Sequence, residues 1–276
     1  SLDRLKEYAP PVYSNSKIFI KGSAKGKQSE SENITIEADF SSDALTYRKM
    51  ELKGISGNIK YTPEKAAIEF SAKNVCSGSM TGNIFVSFKN GPPAAFTLEN
   101  SIKDMQLEEF FNTIFDKKQN VRGKTGFYIK LWGLAGKPET FDGEGSLTIS
   151  DGRLWDMKLF DGIWQILVIT NPELKKAVFT EADLAFKVKK QRVFIPDAVF
   201  SSEHFLLMPK GYIGFDKKID FSIESGFFEG SEDSGADVLA KRIGNIKCRL
   251  TTIHATGTIE KPILKTEIKP LGEIFR

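Results

Sequence analysis

Residues that usually carry chemistry are scarce in this chain of 276 residues: 2 His, 2 Cys, 3 Trp and 6 Tyr. Neither His204 nor His254 has a second His, a Cys or a carboxylate at metal-ligand spacing, so no metal centre is expected. Cys76 and Cys248 lie far apart in sequence, and two separate thiols are the expected state, with a single disulfide as the alternative. No apolar run approaches the roughly 20 residues of a membrane-spanning helix. The opening SLDRLKEYAPP has no basic-then-apolar leader, and the chain is expected to be a soluble piece excised from a longer protein. A formal net charge of +3 is too small to point to nucleic acid.

What is present in excess is phenylalanine, 22 residues of it, within an otherwise globular composition of 40% hydrophobic and 27% charged residues. Excess Phe means much apolar surface with no polar handle, and that surface needs somewhere to go. The dominant sequence period is two. Ile34, Ile36, Ala38 and Phe40 alternate with Thr35, Glu37 and Asp39, and Ile219, Phe221 and Ile223 alternate with Asp220, Ser222 and Glu224. Similar short runs recur at Ile18–Ile20, Ile59–Tyr61, Ile68–Phe70, Ile84–Phe88, Phe96–Leu98, Phe127–Leu131, Leu147–Ile149, Leu184–Val188, Val193–Ile195, Ala198–Phe200 and Leu250–Ile259. Candidate turns punctuate them at Ser41-Ser42-Asp43, Gly54, Gly57, Pro63, Gly78, Gly82, Asn90-Gly91-Pro92-Pro93 and Asp151-Gly152. A stop is expected at Lys261-Pro262. The reading is a mainly β chain of about fifteen short antiparallel strands.

Helical spacing occurs in three places. Leu107, Phe110, Phe111, Ile114 and Phe115 follow Asp104 as N-cap. Leu159, Phe160, Ile163, Trp164 and Leu167 make a second helix, broken at Asn171-Pro172, and residues 236–246 a third. A short amphipathic turn is expected around Leu2, Leu5 and Tyr8. No compositional linker divides the chain, so residues 1–276 read as a single domain, with a meander over about 12–100 and the remainder over about 101–276.

The search for catalytic groups yields little. No G-x-S-x-G elbow is present, and Cys76-Ser77-Gly78 reads as a turn. Gly143-Glu144-Gly145 leads into a strand pattern, not a helix N-terminus, so it is no phosphate cradle. The expectation is a non-enzymatic protein without catalytic residues or cofactor. Strands with one apolar face can bury it in a sealed sandwich or barrel, or leave it as a groove for hydrocarbon, and alternation alone leaves both open.

An ordered set of phrases bears on that choice. The phrase Gly143-Glu144-Gly145-Ser146-Leu147-Thr148-Ile149-Ser150-Asp151-Gly152-Arg153-Leu154 runs into an apolar segment, after AFTLENSIKDMQLEEFF and RGKTGFYIKLWGLAGKPETF. FTEADLAFKVKKQRVFIPDAVFSSEHFLLMPKGYIGFDKKIDF and ATGTIEKPILKTEIKP follow. In this order they resemble the C-terminal region of the AsmA-like family of bacterial envelope proteins, most closely over about residues 121–262; ELKGISGNIKYTPEKAAIEFSAKNVCSGSMTGNIFVSF resembles the family's meander more loosely.

The resemblance implies a long curved antiparallel sheet forming an open groove, related to TamB-like and repeating β-groove lipid conduits, with two or three short helices capping it. It implies a lipid-binding or lipid-transfer module that holds phospholipid or another acyl lipid between inner and outer membranes. The module would be periplasmic, within an inner-membrane-anchored parent, where Cys76 and Cys248 would meet oxidising conditions. On that reading the groove lining would be Ile36, Val86, Phe88, Phe127 and Ile129, then Leu147, Ile149, Leu184, Phe186 and Val188, then Ile219, Phe221 and Ile223. Phe110, Phe111 and Ile114, with Ile163, Trp164 and Leu167, would cap it. The alternative is a structural or protein-interaction scaffold with a closed β core, recruiting partners through an exposed edge strand.

Overall fold

The structure is a computed structural model that describes residues 12–13, 17–26, 34–47, 49–114, 121–153, 179–202, 205–227, 248–259 and 261–268. It contains β1 (Val12–Tyr13), β2 (Ile18–Lys25), β3 (Thr35–Tyr47), β4 (Met50–Thr62), β5 (Lys65–Val75), β6 (Gly78–Ser87) and β7 (Ala95–Gln106). Helix α1 (Leu107–Ile114) follows, then β8 (Arg122–Leu134), β9 (Lys137–Arg153), β10 (Glu181–Lys189) and β11 (Arg192–Ser201). The last described strands are β12 (Phe205–Gly214), β13 (Lys218–Phe227), β14 (Cys248–Thr258) and β15 (Pro262–Ile268).

These strands form one antiparallel sheet in which sequence neighbours pair, and the path from β1 to β15 does not close on itself. β1 and β2 share one edge of β3, Val12 opposite Tyr47 and Ile18 opposite Ser42. The mainly β class expected from the alternation is therefore present. The second and third expected helices, the Leu2–Tyr8 turn and His204 lie outside the described residues.

Several boundaries differ from the sequence expectation, each for a local reason. Ser41-Ser42-Asp43 lies inside β3, Gly54 and Gly57 inside β4 and Gly82 inside β6, because the backbone groups there pair in the ladder. β9 likewise runs through Asp151-Gly152 without reversing, and only Asp151 takes a left-handed conformation, at φ 52°. Val193–Ile195 and Ala198–Phe200 are one strand with a register shift, and Pro196 occupies that irregularity, where a ladder donor is not required. Lys261-Pro262 does not end the sheet: Pro262 opens β15, which pairs with β14 from Gly257↔Pro262 onward, a first-residue position that tolerates proline.

Asp104 is not the N-cap of α1. It lies in β7 with φ 56°, since the ladder holds Lys103 against Ser79 and the Gln106 N–H donates to the Cys76 carbonyl at 2.8 Å. The helix begins only after that bond. Glu108 and Glu109 in its first turn suit the positive end of its dipole.

Two compact units share the sheet. The N-terminal unit comprises Ser1–Lys118, Thr125–Gly145 and Val188–Gln191, and the C-terminal unit comprises Gln119–Lys124, Ser146–Lys187 and Arg192–Arg276. In the N-terminal unit α1 lies over β4 and β7. Leu107 and Met105 are buried there, and near that end Val75, Ile55 and Ala72 form a cluster with Leu45, Met50, Leu52 and Met80. In the C-terminal unit Phe205, Leu206, Leu207 and Met208 are four consecutive buried residues, so both faces of β12 are covered at that height. Phe179 packs on Phe205 and Phe200 at ring-centroid distances of 5.9 and 6.2 Å, while Val199, Leu206 and Met208 form a separate cluster.

Candidate functional site: an apolar sheet face and its polar reverse

In an antiparallel ladder, directly opposed residues project from the same face, so register converts alternation into rows that cross the sheet. In the N-terminal unit four rows run from β2 to β7 on one face. They are Ile18–Ser42–Ile55–Ala72–Met80–Ile102, Ile20–Phe40–Gly57–Phe70–Gly82–Asn100, Gly22–Ala38–Ile59–Ile68–Ile84–Leu98 and Ala24–Ile36–Tyr61–Ala66–Val86–Phe96. Only Ser42, Asn100 and the Tyr61 hydroxyl break an otherwise apolar surface.

The second row shows how two of the 22 phenylalanines are accommodated. A Cβ placed at Gly57 would collide with the Phe40 ring, and one at Gly82 with the Phe70 ring, so both rings lie down across a neighbouring strand. In the C-terminal unit Phe221 lies against Gly211 in the same way. Glycine here supplies space for an aromatic ring rather than a turn, which is why these positions were misread from sequence.

Of the candidate residues, Ile36 and Val86 lie in these rows. In the N-terminal unit Ile36 and Phe88 are exposed, each at 37%, and Val86, Phe127 and Ile129 are half-buried. Phe88 joins the apolar face through its ring contact with Tyr61 at 6.2 Å. Tyr128 reaches Glu99 on the opposite face, so its neighbours Phe127 and Ile129 point to the apolar side. Val188, also in this unit, is buried. In the C-terminal unit Leu147 and Leu184 are half-buried, whereas Ile149, Phe186, Ile219, Phe221 and Ile223 are buried at 4–8%. Phe221 and Ile223 face Ala255 and Ile253, themselves 1% and 0% exposed. Of the expected caps, α1 lies near β4 and β7 of its own unit, with Phe110 and Phe111 in edge contact at 6.0 Å. The cap at Ile163, Trp164 and Leu167 lies outside the described residues.

The half-buried residues Ile59, Ile68, Ile84, Leu98, Phe40 and Phe70 belong to the same surface, yet sequence reasoning did not select them. Their alternation is visible, but turns were expected at Ser41-Ser42-Asp43, Gly57 and Gly82, which cut the rows apart.

The reverse face carries two polar rows, with the exposed rings of Phe19 and Phe85 to either side of them. Ser41–Ser56–Ser71–Thr81–Ser101 and Asp39–Asn58–Glu69–Asn83–Glu99 are adjacent rows. Ser56 and Ser71 hydroxyls bond at 3.2 Å, Asn58 Nδ2 donates to Asp39 Oδ1 at 2.9 Å, and Tyr128 OH donates to Glu99 Oε1 at 2.9 Å. That last bond, with burial and nearby carboxylates adding to it, raises the Tyr128 pKa above its ordinary value. Two clefts lie on this side, about 350 and 620 Å³ in volume, and they meet at Ser56.

Beside α1, Cys76 is a buried free thiol in the Cys76-Ser77 hairpin turn, whose φ angles of 48° and 62° match the mirror-image turn expected there. Burial first, and the Glu109 carboxylate second, push its pKa up. The Ser77 hydroxyl donates to Glu109 at 2.7 Å and ties that turn to the helix. His254 is exposed and sits 3.6 Å from Glu267, the surface placement its strand pattern implied. Among the described residues no group of three or more His, Cys, Asp or Glu is placed to hold a metal ion, and no helix is long and apolar enough to cross a membrane. The chain matches no protein-family model, no curated protein and no solved structure.

Proposed function

We propose that the N-terminal unit binds acyl lipid on its apolar sheet face, as a non-enzymatic lipid-holding or lipid-transfer module of a bacterial envelope. The observation that carries this reading is the incomplete burial of three of the four apolar rows, those through Phe40, Ile59 and Tyr61. Side chains that would be sealed in an ordinary core remain partly accessible over six adjacent strands.

The dimensions suit the ligand. Ile55 to Tyr61 is seven residues of β4, about 20 Å of strand. One leaflet of a bilayer's hydrocarbon core is about 15 Å deep. Each methylene removed from water would contribute about 0.8 kcal/mol, so acyl chains need no specific polar contact to stay on such a surface, while a head group remains in water. The AsmA-like resemblance of the sequence supports a periplasmic location, in a parent protein anchored in the inner membrane.

The test is photo-crosslinking in cells with probes at Ile68 and Val86, compared with Glu69 and Asn83 on the reverse face. Phospholipid adducts from the first pair alone are expected. Adducts from neither pair, together with no lipid in the purified protein, would sink the reading. The C-terminal unit, where Ile219, Phe221 and Ile223 are sealed, instead favours the scaffold role for its own part of the sheet.

A further inference from the structure

The 350 Å³ cleft on the polar face of the N-terminal unit has no part in holding hydrocarbon. Its lining includes the hydroxyls of Ser56, Ser71, Thr81 and Ser101, the amide of Asn83, the carboxylates of Glu69 and Glu99, and Tyr128, together with Phe70, Gly82 and Asn100 of the row whose side chains project from the other face. Glu69, Thr81, Asn83 and Ser101 make no side-chain hydrogen bond or ion pair to another described residue, so their donors and acceptors are available to a ligand. At Glu99 only Oε1 is engaged, by Tyr128.

The chemistry of the lining narrows the ligand. No lysine or arginine lines this cleft among the described residues, and two carboxylates do, so phosphates, nucleotides and acidic glycans would meet repulsion with nothing to offset it. A hydrocarbon would strand the hydroxyls without partners, at a cost of about 1–3 kcal/mol for each one buried. A ligand dense in neutral groups that both donate and accept has neither difficulty. Hydroxyls and amides serve it in both directions, and carboxylates accept from hydroxyls strongly. The hydroxyl row from Ser56 to Ser101, all of it within this cleft, crosses four strands, about 15 Å at the usual strand spacing. That length fits a chain of sugar rings better than a single one.

We propose that this cleft binds a neutral oligosaccharide, laid across the strands on the hydroxyl row. Because it uses the opposite face of the sheet, it stands or falls separately from lipid binding.

Titration calorimetry on the full chain tests it, with maltohexaose and chitohexaose as neutral probes, a heparin hexasaccharide as polyanion and hexalysine as cation. At least one neutral hexasaccharide is expected to bind at up to millimolar concentration, and the heparin fragment is not. Replacing Ser71→Ala together with Thr81→Val, which keeps strand-compatible side chains, is expected to weaken that binding about tenfold or more. Glu69→Gln is expected to weaken it less, because an acceptor oxygen remains. Ile68→Ala, on the other face, leaves it unchanged, and matching circular dichroism and urea midpoints establish that the variants fold. Absence of heat with both neutral probes overturns the proposal. So does preferential binding of hexalysine, or an unaltered affinity in the double variant.

Discussion

Ile84 in the N-terminal unit and Ile253 in the C-terminal unit are the same residue in the same kind of strand, Ile84 between Ile68 and Leu98 and Ile253 between Ile223 and Thr266. Ile253 is completely buried, whereas Ile84 is only half-buried, as are its row neighbours Ile59, Ile68 and Leu98. One apolar face has been sealed and the other has not. The difference teaches that an alternating strand specifies an apolar surface without specifying what will meet it.

The largest expected effect separates the two faces by charge. Ile253→Lys should prevent stable folding of the C-terminal unit, a loss above about 4 kcal/mol, because an ammonium buried there finds no water. Ile84→Lys should cost about 1 kcal/mol or less, since the amine can reach solvent, yet it should remove most of the phospholipid that copurifies. Urea unfolding and lipid mass spectrometry on the two variants read both halves, and equal destabilisation would erase the contrast.

Cavity formation gives the next largest difference. Phe205 is fully buried beside Phe179, and Phe205→Ala is expected to cost about 3–5 kcal/mol. Val86→Ala, on the half-buried face, should cost about 1 kcal/mol in the same urea assay.

Gly82→Val sharpens the comparison inside the N-terminal unit. The Phe70 ring must leave its position over Gly82, and about 1–3 kcal/mol of destabilisation is expected. Phe70→Ala in the same background should restore part of it, and additive losses in a double-mutant cycle would refute the ring-over-glycine contact.

The smallest effect concerns the β12–β13 turn. Asp216 accepts from the Lys218 N–H at 3.2 Å and pairs with its ammonium at 2.9 Å, which holds the Asp216 pKa below the ordinary carboxylate value and raises that of Lys218. A carboxylate with a lowered folded-state pKa contributes stability above its unfolded pKa and loses it as pH falls through the folded value. Asp216→Asn should therefore abolish a slight acid-side loosening of this turn, followed through the Lys218 amide chemical shift, and leave behaviour at neutral pH nearly unchanged. A turn in the variant that still loosens with acid would assign the effect to another group.

Much of the β content was legible because period two survives in short windows such as Ile219-Asp220-Phe221-Ser222-Ile223. Strand length was not. Ser41-Ser42-Asp43 and Gly57 carry turn chemistry, yet at thirteen residues each β3 and β4 run straight through them, because pairing on both sides satisfies their backbone. The start of α1 was misplaced for a related reason: Asp104 is a good cap in isolation, but β7 pairs with β6 up to Lys103 and the Gln106 N–H is then taken by the Cys76 carbonyl. The polar cleft left no signal beyond scattered Ser, Thr and Asn, which become a row only once β3 to β7 are in register.

By itself the amino-acid order determined that these strands would have two unlike faces, since side chains alternate along any extended backbone. It also determined that few groups suited to catalysis or metal binding would be carried on them. Which face aligned with which, and whether Ile84 or Ile253 would meet a covering layer, was decided only by tertiary structure. Register and coverage depend on segments distant in sequence, and no local window contains them.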